Sequence, residues 1–358
     1  LEPTDDGHRI QFSIFNSGWT EPSTVTNGND WFINWADFPS VINFNQNEYA
    51  AHWLKKSGES TYAYDTYISI SKNNGKSWSQ PIKAHEDETQ TEHGFLSFYE
   101  HKNELGFIYL DGRKMANKAT HDKSHSSMSL RSGSIDRNLN LNNTQNIDGL
   151  VCECCQTDIT VTDRGPIGVY RDRSEEEYRD IYITKLENES WSEGKPLHLD
   201  NWKINGCPVN GPVITGNNNE ITVAWYTRSG GKSNIKIAKS FDYGETFNEP
   251  LLIGTNETVG HISMTTDSKR NTWLLWQKTA KKGLVELVLT KIEPDSNQIM
   301  HKIIEEAGKS PRFSFPQIAR NGETIILAYT TVINDSRETR SSNRKTSIKS
   351  LSFNANLY

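Results

Sequence analysis

The chain has 358 residues, with 39 basic and 45 acidic side chains and therefore a formal net charge of −6. This balance, with no long run of lysine or arginine, does not favour binding to nucleic-acid phosphates. No stretch approaches 18 consecutive apolar residues, so the sequence predicts no transmembrane helix. Glycine-rich turns, 10 tryptophans and little helical periodicity are typical of an all-β protein with short strands.

Six apolar strands that each end in an aromatic residue set the period of the chain. Residues 8–16 come before them, and the first repeat is predicted to have strands over 39–44, 48–54 and 62–71. The last residues of the six strands are 56, 61, 55, 51 and 53 positions apart. This spacing predicts six repeated blades, with residues 8–16 adding a strand to the last blade and so closing the ring. The six strands are Ala50–Trp53, Gly106–Tyr109, Ile167–Tyr170, Thr222–Trp225, Trp273–Trp276 and Ile326–Tyr329.

Two octets share a second sequence pattern. The first is Ser71–Trp78 and the second is Ser240–Phe247. Each has an Asn or Asp at its third position and a glycine at its fifth, which predicts a tight turn with a positive φ at the glycine. A third copy, without the glycine, is suggested at Leu186–Trp191.

The octet resembles the Asp box of the sialidase-like β-propellers. The strings Glu92–Phe95, Tyr170–Arg173 and Cys207–Pro212 are similar to those of exported bacterial proteins labelled exo-α-sialidases. The resemblance implies a single domain over residues 1–358, an all-β six-bladed β-propeller with four-stranded antiparallel blades. It also implies a secreted, periplasmic or cell-surface glycoside hydrolase. We expect a monomer, and the start at Leu1 suggests that an export signal is missing from this chain.

Strand direction predicts which side chains meet at one mouth of such a propeller. First strands of all blades run the same way and second strands run antiparallel to them, so starts of the former and ends of the latter share one end. The predicted strand starts contribute His93, Cys152, Cys154, Cys155, Gln156, Asp158, Cys207, Asn210 and His261. The predicted strand ends contribute Asp111, Arg113, Arg171, Asp172, Arg173, Thr227, Arg228 and Gln277. A polar loop, Lys114 to Ser126, is either a lid beside this mouth or an ordinary surface loop.

Arginines form the first candidate constellation. Arg113, Arg171, Arg173 and Arg228, with Gln156 and Asn210, would bind an acidic sugar, because guanidinium groups recognise carboxylates through paired charge-assisted hydrogen bonds. The alternative is structural ion pairing of the Arg171–Arg179 segment with its own acidic neighbours, which are Asp172, Asp180 and Glu175 to Glu177.

Cysteines form the second constellation. Cys152, Cys154, Cys155 and Cys207, with His93 or His261, would bind a soft metal such as Zn²⁺ or Cu⁺. Two disulfides, or buried thiols, are the alternatives, and the sequence does not choose among them.

Titratable groups form the third constellation, which includes Glu92, His93, Asp111, Asp158, Tyr170 and Asp172. Glycoside hydrolysis uses two carboxylates, or in sialidases a tyrosine nucleophile assisted by a glutamate. A polysaccharide lyase acting on a uronate would instead need a base such as His93 or Tyr170 beside Arg171. Tyr170 is equally interpreted as a core residue, since the matching position in the other repeats is also aromatic.

Overall fold

The computed structural model of the protein describes residues 2–116, 127–294, 298–307, 314–332 and 346–357. These residues form seven antiparallel sheets, joined along the chain in sequence order. The chain divides into two compact units. Unit 1 comprises Leu1–Glu153, Arg173–Glu175 and Thr184–Gly194, and unit 2 comprises Cys154–Asp172, Glu176–Ile183 and Lys195–Tyr358. The part of the suggested lid at residues 117–126 lies outside the described residues.

Three sheets belong to unit 1, in the orders β1-β2-β3, β4-β5-β6-β7 and β11-β10-β9-β8. Their strands are β1 (Glu2–Thr4), β2 (Gly7–Phe12), β3 (Ser23–Gly28), β4 (Ser40–Phe44), β5 (Glu48–Lys56), β6 (Tyr64–Ser71), β7 (Ile82–Lys83), β8 (His93–His101), β9 (Glu104–Asp111), β10 (Met128–Ile135) and β11 (Leu141–Val151). A single 3-10 turn, Arg113–Ala116, follows β9.

The fourth sheet has the order β12-β13-β14-β15, with β16 also paired to β14. Its strands are β12 (Asp158–Thr162), β13 (Gly165–Arg171), β14 (Ile181–Glu187), β15 (Ser190–Trp191) and β16 (Lys195–His198). It belongs to unit 2 except from Thr184 through β15.

Unit 2 also contains the last three sheets, in the orders β17-β18-β19-β20, β21-β22-β23-β24 and β25-β26-β27. Their strands are β17 (Val213–Asn217), β18 (Glu220–Thr227), β19 (Asn234–Ser240), β20 (Leu251–Thr255), β21 (Thr258–Thr266), β22 (Thr272–Thr279), β23 (Val285–Ile292), β24 (Ile299–Ala307), β25 (Gln317–Asn321), β26 (Thr324–Val332) and β27 (Thr346–Asn354). Short 3-10 turns lie at Ser229–Gly231, Lys281–Gly283 and Ala355–Leu357.

The predicted count of six blades is wrong, because the described residues form seven sheets. The predicted closing strand is wrong for the same reason: β2 is the middle strand of an N-terminal sheet and pairs with β1 and β3. Phe12, at the end of β2, lies 41 residues before Trp53, whereas the later repeats are 51 to 61 residues long. The N-terminal blade is therefore too short for the period by which the other six were recognised.

The six aromatic-ended strands are each the second strand of a sheet, as β5, β9, β13, β18, β22 and β26. The aromatic side chains that end these strands in the sequence pattern are all buried. In unit 1, Trp53 packs with Phe12, Val25 and Trp31. In unit 2, Trp225 packs with a cluster of isoleucines and valines. Truncating such a fully buried tryptophan costs about 3–5 kcal/mol.

The two octets form the tight turns that their sequences predict. Gly75 and Gly244 have φ values of 75° and 74°. The hydroxyl of Ser71 accepts the N–H of Gly75 at 2.9 Å, and the hydroxyl of Ser240 accepts the N–H of Gly244 at 2.8 Å. In the second octet the carboxylate of Asp242 also accepts the N–H of Thr246 at 2.9 Å. Each turn leads from the third strand of its sheet towards the fourth.

In the described part of the chain the helices are single short turns, and none has the length and hydropathy needed to span a membrane.

Candidate functional site

Two sheets of unit 1 collect titratable side chains at one edge. β8 begins at His93 and β9 ends at Asp111, and these residues are paired across the strands. β6 begins beside them, because Tyr64 forms a bridge with Glu92. Asp37 precedes β4 and reaches the same place through a hydrogen bond to Tyr64. We call this set, Asp37, Tyr64, Glu92, His93 and Asp111, the mouth edge of unit 1.

The turn that positions Asp37 is encoded locally. The side-chain oxygen of Asn34 accepts the N–H groups of Ala36 and Asp37 at 2.8 and 3.4 Å, a turn that asparagine favours. Oδ2 of Asp37 then accepts the N–H of Phe95 at 3.0 Å. Phe95 has a φ of 52° within a bulge of β8, and bulges commonly re-aim the chain beside functional sites. A strained backbone position therefore holds the carboxyl group of Asp37.

Gly94 allows the carboxyl group and the tyrosine to approach this backbone. A Cβ atom at Gly94 would lie 2.0 Å from Oδ2 of Asp37 and 2.7 Å from Cε2 of Tyr64. No real side chain tolerates such distances, so the packing requires glycine at this position.

The hydroxyl of Tyr64 lies between two carboxyl groups. It is 2.8 Å from Oδ2 of Asp37 and 2.8 Å from Oε1 of Glu92. Tyr64 and Asp37 are buried, whereas Glu92 is only half-buried. Burial raises the pKa of Tyr64 well above its usual value, so the phenol keeps its proton.

One phenol proton cannot form both of these hydrogen bonds. When the hydroxyl of Tyr64 donates to one carboxyl oxygen, the other contact must be donated by a carboxyl O–H. Burial raises the pKa of Asp37 to about 7, although hydrogen bonds from Tyr64 and Phe95 oppose the shift. The group of three side chains therefore holds a carboxylic-acid proton near neutral pH. The hydroxyl of Tyr64 connects this proton to the half-buried Glu92.

Aromatic side chains border this group. The ring of Phe32 stacks on that of Tyr64, with centroids 4.0 Å apart and planes 7° apart. Tyr62 meets Phe32 edge-on at 6.4 Å and is 57% exposed. Trp35, two residues before Asp37, is 55% exposed. Exposed aromatic rings beside polar groups are typical of binding surfaces for amphipathic ligands such as sugars.

Asp111 and Arg113 form a two-pronged ion pair at the end of β9. Nε and Nη2 of Arg113 donate to the two carboxylate oxygens at 2.8 and 2.6 Å. Burial opposes ionisation of Asp111, but the bonds and charge of Arg113 outweigh it and the pKa stays below its usual value. Asp111 is buried, whereas the side chain of Arg113 is 30% exposed. Arg113 thus presents positive charge at the mouth edge.

His93 is fully buried beneath these groups. Its ring stacks on that of His85, with centroids 3.9 Å apart. Nε2 of His93 lies 3.0 Å from Oδ2 of Asp87, and Nδ1 lies 3.3 Å from Oδ1 of Asp65. His93 therefore contacts two carboxylates.

Arg171, which was predicted to bind substrate, is buried in unit 2. Its guanidinium donates to the carbonyl oxygens of Arg179 at 2.7 Å, of Tyr226 at 2.7 Å and of Asn210 at 2.9 and 3.1 Å. It also lies 5.0 Å above the ring of Trp202. These contacts with backbone carbonyls give Arg171 a structural role.

Three other predicted residues of unit 2, Gln156, Asn210 and His261, form hydrogen bonds near the starts of its strands. Oε1 of Gln156 accepts the N–H of Gly211 at 3.2 Å. Oδ1 of Asn210 accepts the N–H of His261 at 2.7 Å. His261 in turn is 3.2 Å from the amide of Gln277, and burial lowers its pKa to about 4. These side chains connect one sheet to the next.

In unit 2, Tyr170 and Asp172 are buried and Asp158 is half-buried. Asp158 accepts the N–H groups of Ile159 and Ile214 at 2.9 and 2.8 Å, and burial raises its pKa to about 7. Tyr170 is 1% exposed and lies near the ring of Tyr182, as the core interpretation predicts. Asp172 is buried and donates its backbone N–H to the carbonyl of Asp180 at 3.0 Å.

The two remaining arginines differ. Arg173 forms an ion pair with Glu153 in unit 1. Arg228 belongs to unit 2 and is exposed. The ion-pair alternative named other partners for Arg173, but it does describe Arg179, which lies 2.9 Å from Glu177.

The four cysteines are divided between the units. Cys152 is buried in unit 1, Cys155 is buried and Cys154 half-buried in unit 2, and Cys207 is exposed in unit 2. All four are described and are thiols in the structure. Their function as metal ligands stays a prediction.

Sequence reasoning missed Asp37, Tyr64, Asp65, His85 and Asp87. A third strand starts at the edge where the second ends, so Tyr64 and Asp65 could have been found by extending the strand-direction argument one strand further. Asp37, His85 and Asp87 lie in connecting loops, for which the repeat pattern carried no directional signal.

Comparison with known proteins shows the fold. No family model and no curated protein matches the sequence. Solved structures do match. The phage phi92 endosialidase shares 11% identity over 93% of this chain and 71% of its own, with a TM-score of 0.56. The alpha-L-arabinofuranosidase Arb93A of Fusarium graminearum shares 11% identity over 90% and 93%, with a TM-score of 0.55.

A third similar structure is the Hadza microbial sialidase Hz136. It shares 12% identity over 82% of this chain, with a TM-score of 0.54, and the chain spans 63% of its length. Together these matches show that the chain shares the β-propeller fold of these structures.

Proposed function

We propose that the protein is a glycoside hydrolase that acts on an anionic glycan at the mouth edge of unit 1. The observation that carries this proposal is the Tyr64 hydroxyl, bound at once to Asp37 and Glu92. A general acid for glycoside cleavage is a carboxyl group that keeps its proton near neutral pH. Glu92 is the half-buried member of the group and is assigned as the residue that protonates the leaving oxygen.

Asp37 supplies the replacement proton in this scheme. Its proton passes to the oxygen of Tyr64 while the phenol proton passes to Glu92, so Tyr64 and Glu92 each regain a proton and Asp37 becomes a carboxylate. The proton released by the attacking water then returns to Asp37 along the same path. Tyr64 is 0% exposed and is covered by Phe32, so it serves as a relay and not as a nucleophile. Asp37 and Tyr64 are therefore positioning residues, and Glu92 is the catalytic one.

Substrate recognition is assigned to the groups around Glu92. Trp35 and Tyr62 offer exposed rings on which the apolar face of a sugar can stack. Arg113 offers the partly exposed charge for a sugar carboxylate. The likeness in fold to structures named as a sialidase, an endosialidase and an arabinofuranosidase supports a carbohydrate substrate. We infer from the same likeness that the protein acts outside the cytoplasm.

The lyase alternative has less support. It requires Arg171 to neutralise a uronate, but the guanidinium of Arg171 is buried against three backbone carbonyls.

The test is hydrolysis of aryl glycosides of sialic acid, of a uronic acid and of L-arabinofuranose. We expect turnover of an acidic glycoside, a loss of at least about 10²-fold in kcat for Glu92→Gln, and wild-type turnover for the exposed neighbour Glu88→Gln. Tyr64→Phe should lower kcat more than it raises KM, because it interrupts the relay without touching the sugar. Turnover by Glu92→Gln equal to wild type, or release from none of the glycosides, would refute the proposal.

A further inference from the structure

A second cluster in unit 1 is composed of Asp65, His85 and His93. All three side chains are buried, and the two imidazoles are 0% exposed. Nε2 of His85 lies 3.2 Å from Oδ1 of Asp65, and Nδ1 of His93 lies 3.3 Å from the same oxygen. One ligand atom from each residue lies within 4.8 Å of the others.

These atoms approach each other without hydrogen bonds. Oδ1 of Asp65, Nδ1 of His93 and both ring nitrogens of His85 are buried and make no hydrogen bond of acceptable geometry. Leaving a buried polar atom unsatisfied costs about 1–3 kcal/mol. Several such atoms converging on one point indicate that a positively charged group belongs between them.

The second ring nitrogen of His93 has a carboxylate partner of its own. The carboxylate of Asp87 accepts Nε2–H of His93 at 3.0 Å and is fixed by the N–H of Thr89 at 3.1 Å. This contact leaves Nδ1 of His93 facing Oδ1 of Asp65 at 3.3 Å. A cation bound between these two ligand atoms would satisfy both. A carboxylate on the outer nitrogen is also the partner that metal-binding histidines usually have.

The spacing fits a small divalent ion. Zn²⁺ binds histidine nitrogen at about 2.0–2.1 Å and carboxylate oxygen at about 2.0–2.2 Å, so neighbouring ligand atoms of a tetrahedral site are about 3.3–3.4 Å apart. The two observed separations from Oδ1 of Asp65 are 3.2 and 3.3 Å. Two imidazoles and one carboxylate also favour a first-row transition ion over Ca²⁺ or Mg²⁺, which prefer all-oxygen ligands.

We propose that Asp65, His85 and His93 bind a first-row divalent metal ion, for which Zn²⁺ is the best fit, with Asp87 orienting His93. The two rings are only 13° from parallel, so an ion bound to both lies between their planes. Binding therefore turns at least one ring out of the stack. Lys83, 3.0 Å from Oδ2 of Asp65 and 35% exposed, moves towards solvent as the ion neutralises that carboxylate. The site shares His93 with the mouth edge but uses none of the groups assigned to proton transfer or sugar binding.

The test compares metal content in wild type, His85→Gln, Asp65→Asn and a control, His52→Gln. His52 is a buried histidine of β5 that contacts Phe98 and lies outside the cluster. After chelation, dialysis against Zn²⁺ and removal of excess ion, elemental analysis should find about one more Zn²⁺ per chain in wild type and His52→Gln than in the other two variants. Equal Zn²⁺ in all four proteins overturns the proposal.

Two further readouts keep the test decisive. Co²⁺ loaded in place of Zn²⁺ should give visible absorption bands in wild type that are absent in His85→Gln. Any charge-transfer absorption from cysteine thiolates should be the same in both proteins, which separates this site from the cysteines. If the variants do not fold, nitrogen chemical shifts of the histidines in wild type decide: Zn²⁺ should shift His85 and His93 but not His52. Unchanged shifts of His85 and His93 also overturn the proposal.

Discussion

Replacing Arg171 by methionine should destabilise the protein much more than the same change at Arg173. Arg171 is 2% exposed, and its guanidinium satisfies the carbonyl oxygens of Arg179, Asn210 and Tyr226. Methionine has a similar length but donates nothing, so three buried carbonyls lose a charged donor. Each such bond contributes about 1.5–3 kcal/mol, and bonds sharing one side chain are not additive, so the expected loss is about 3–5 kcal/mol.

Arg173 is the matched control, two residues further along the chain. Its ion pair with Glu153 is partly solvated, with both side chains near 20% exposed. Exposed pairs of this kind contribute about 0–1 kcal/mol. The expected difference between Arg171→Met and Arg173→Met is therefore several kcal/mol in the free energy of unfolding.

Urea unfolding, followed by tryptophan fluorescence, measures this difference. Trp202 lies 5.0 Å from the guanidinium of Arg171, so the native emission should also change in Arg171→Met. The slope of the transition must match between the variants for their midpoints to be compared. Equal stability of the two variants, with glycan binding lost only in Arg171→Met, would refute the structural role and restore Arg171 as a substrate ligand.

Three further predictions concern glycine packing, pH and thiols. Gly94→Ala should lower stability and turnover together, because the new methyl group displaces Asp37, whereas Gly18→Ala, with open space around it, should change neither. The folded pKa of Asp37, about 7, exceeds its unfolded value near 3.8, so wild type should lose up to about 4 kcal/mol between pH 4 and pH 7, and Asp37→Asn should lack this component. In a thiol titration of native protein, exposed Cys207 should react before buried Cys152, and four thiols should react after unfolding.

Each of these has a contradicting outcome. Folded, fully active Gly94→Ala would show that the mouth edge tolerates displacement. A stability difference between Asp37→Asn and wild type that does not vary between pH 4 and pH 8 would contradict the raised pKa. Fewer than four thiols in the unfolded, metal-free protein would show disulfides, and protection that chelators remove would support the predicted metal ligation by cysteine.

Local chemistry let the sequence predict much of the fold. Strands such as Glu48–Lys56 and Glu104–Asp111 contain large apolar residues and alternate with turns, and the octets contain the glycines that their turns require. Strand direction then predicted that His93 and Asp111 meet, because first and second strands of one sheet are antiparallel neighbours. These features depend on residues close in sequence or on one repeated pairing rule.

Only the tertiary structure shows which partners the polar ends of the side chains contact. The sequence places Arg171 at a strand end but does not show that three carbonyls surround it. Every residue has a backbone carbonyl, so residue types do not indicate which carbonyls accept a hydrogen bond. The pairing of Asp37 with Tyr64 joins residues 27 positions apart through one hydroxyl. The N-terminal blade was not recognised from the repeat spacing because it is shorter than the other blades. Composition and repeat thus determined an all-β propeller, whereas long-range contacts alone determined which carboxyl groups meet and which keep a proton.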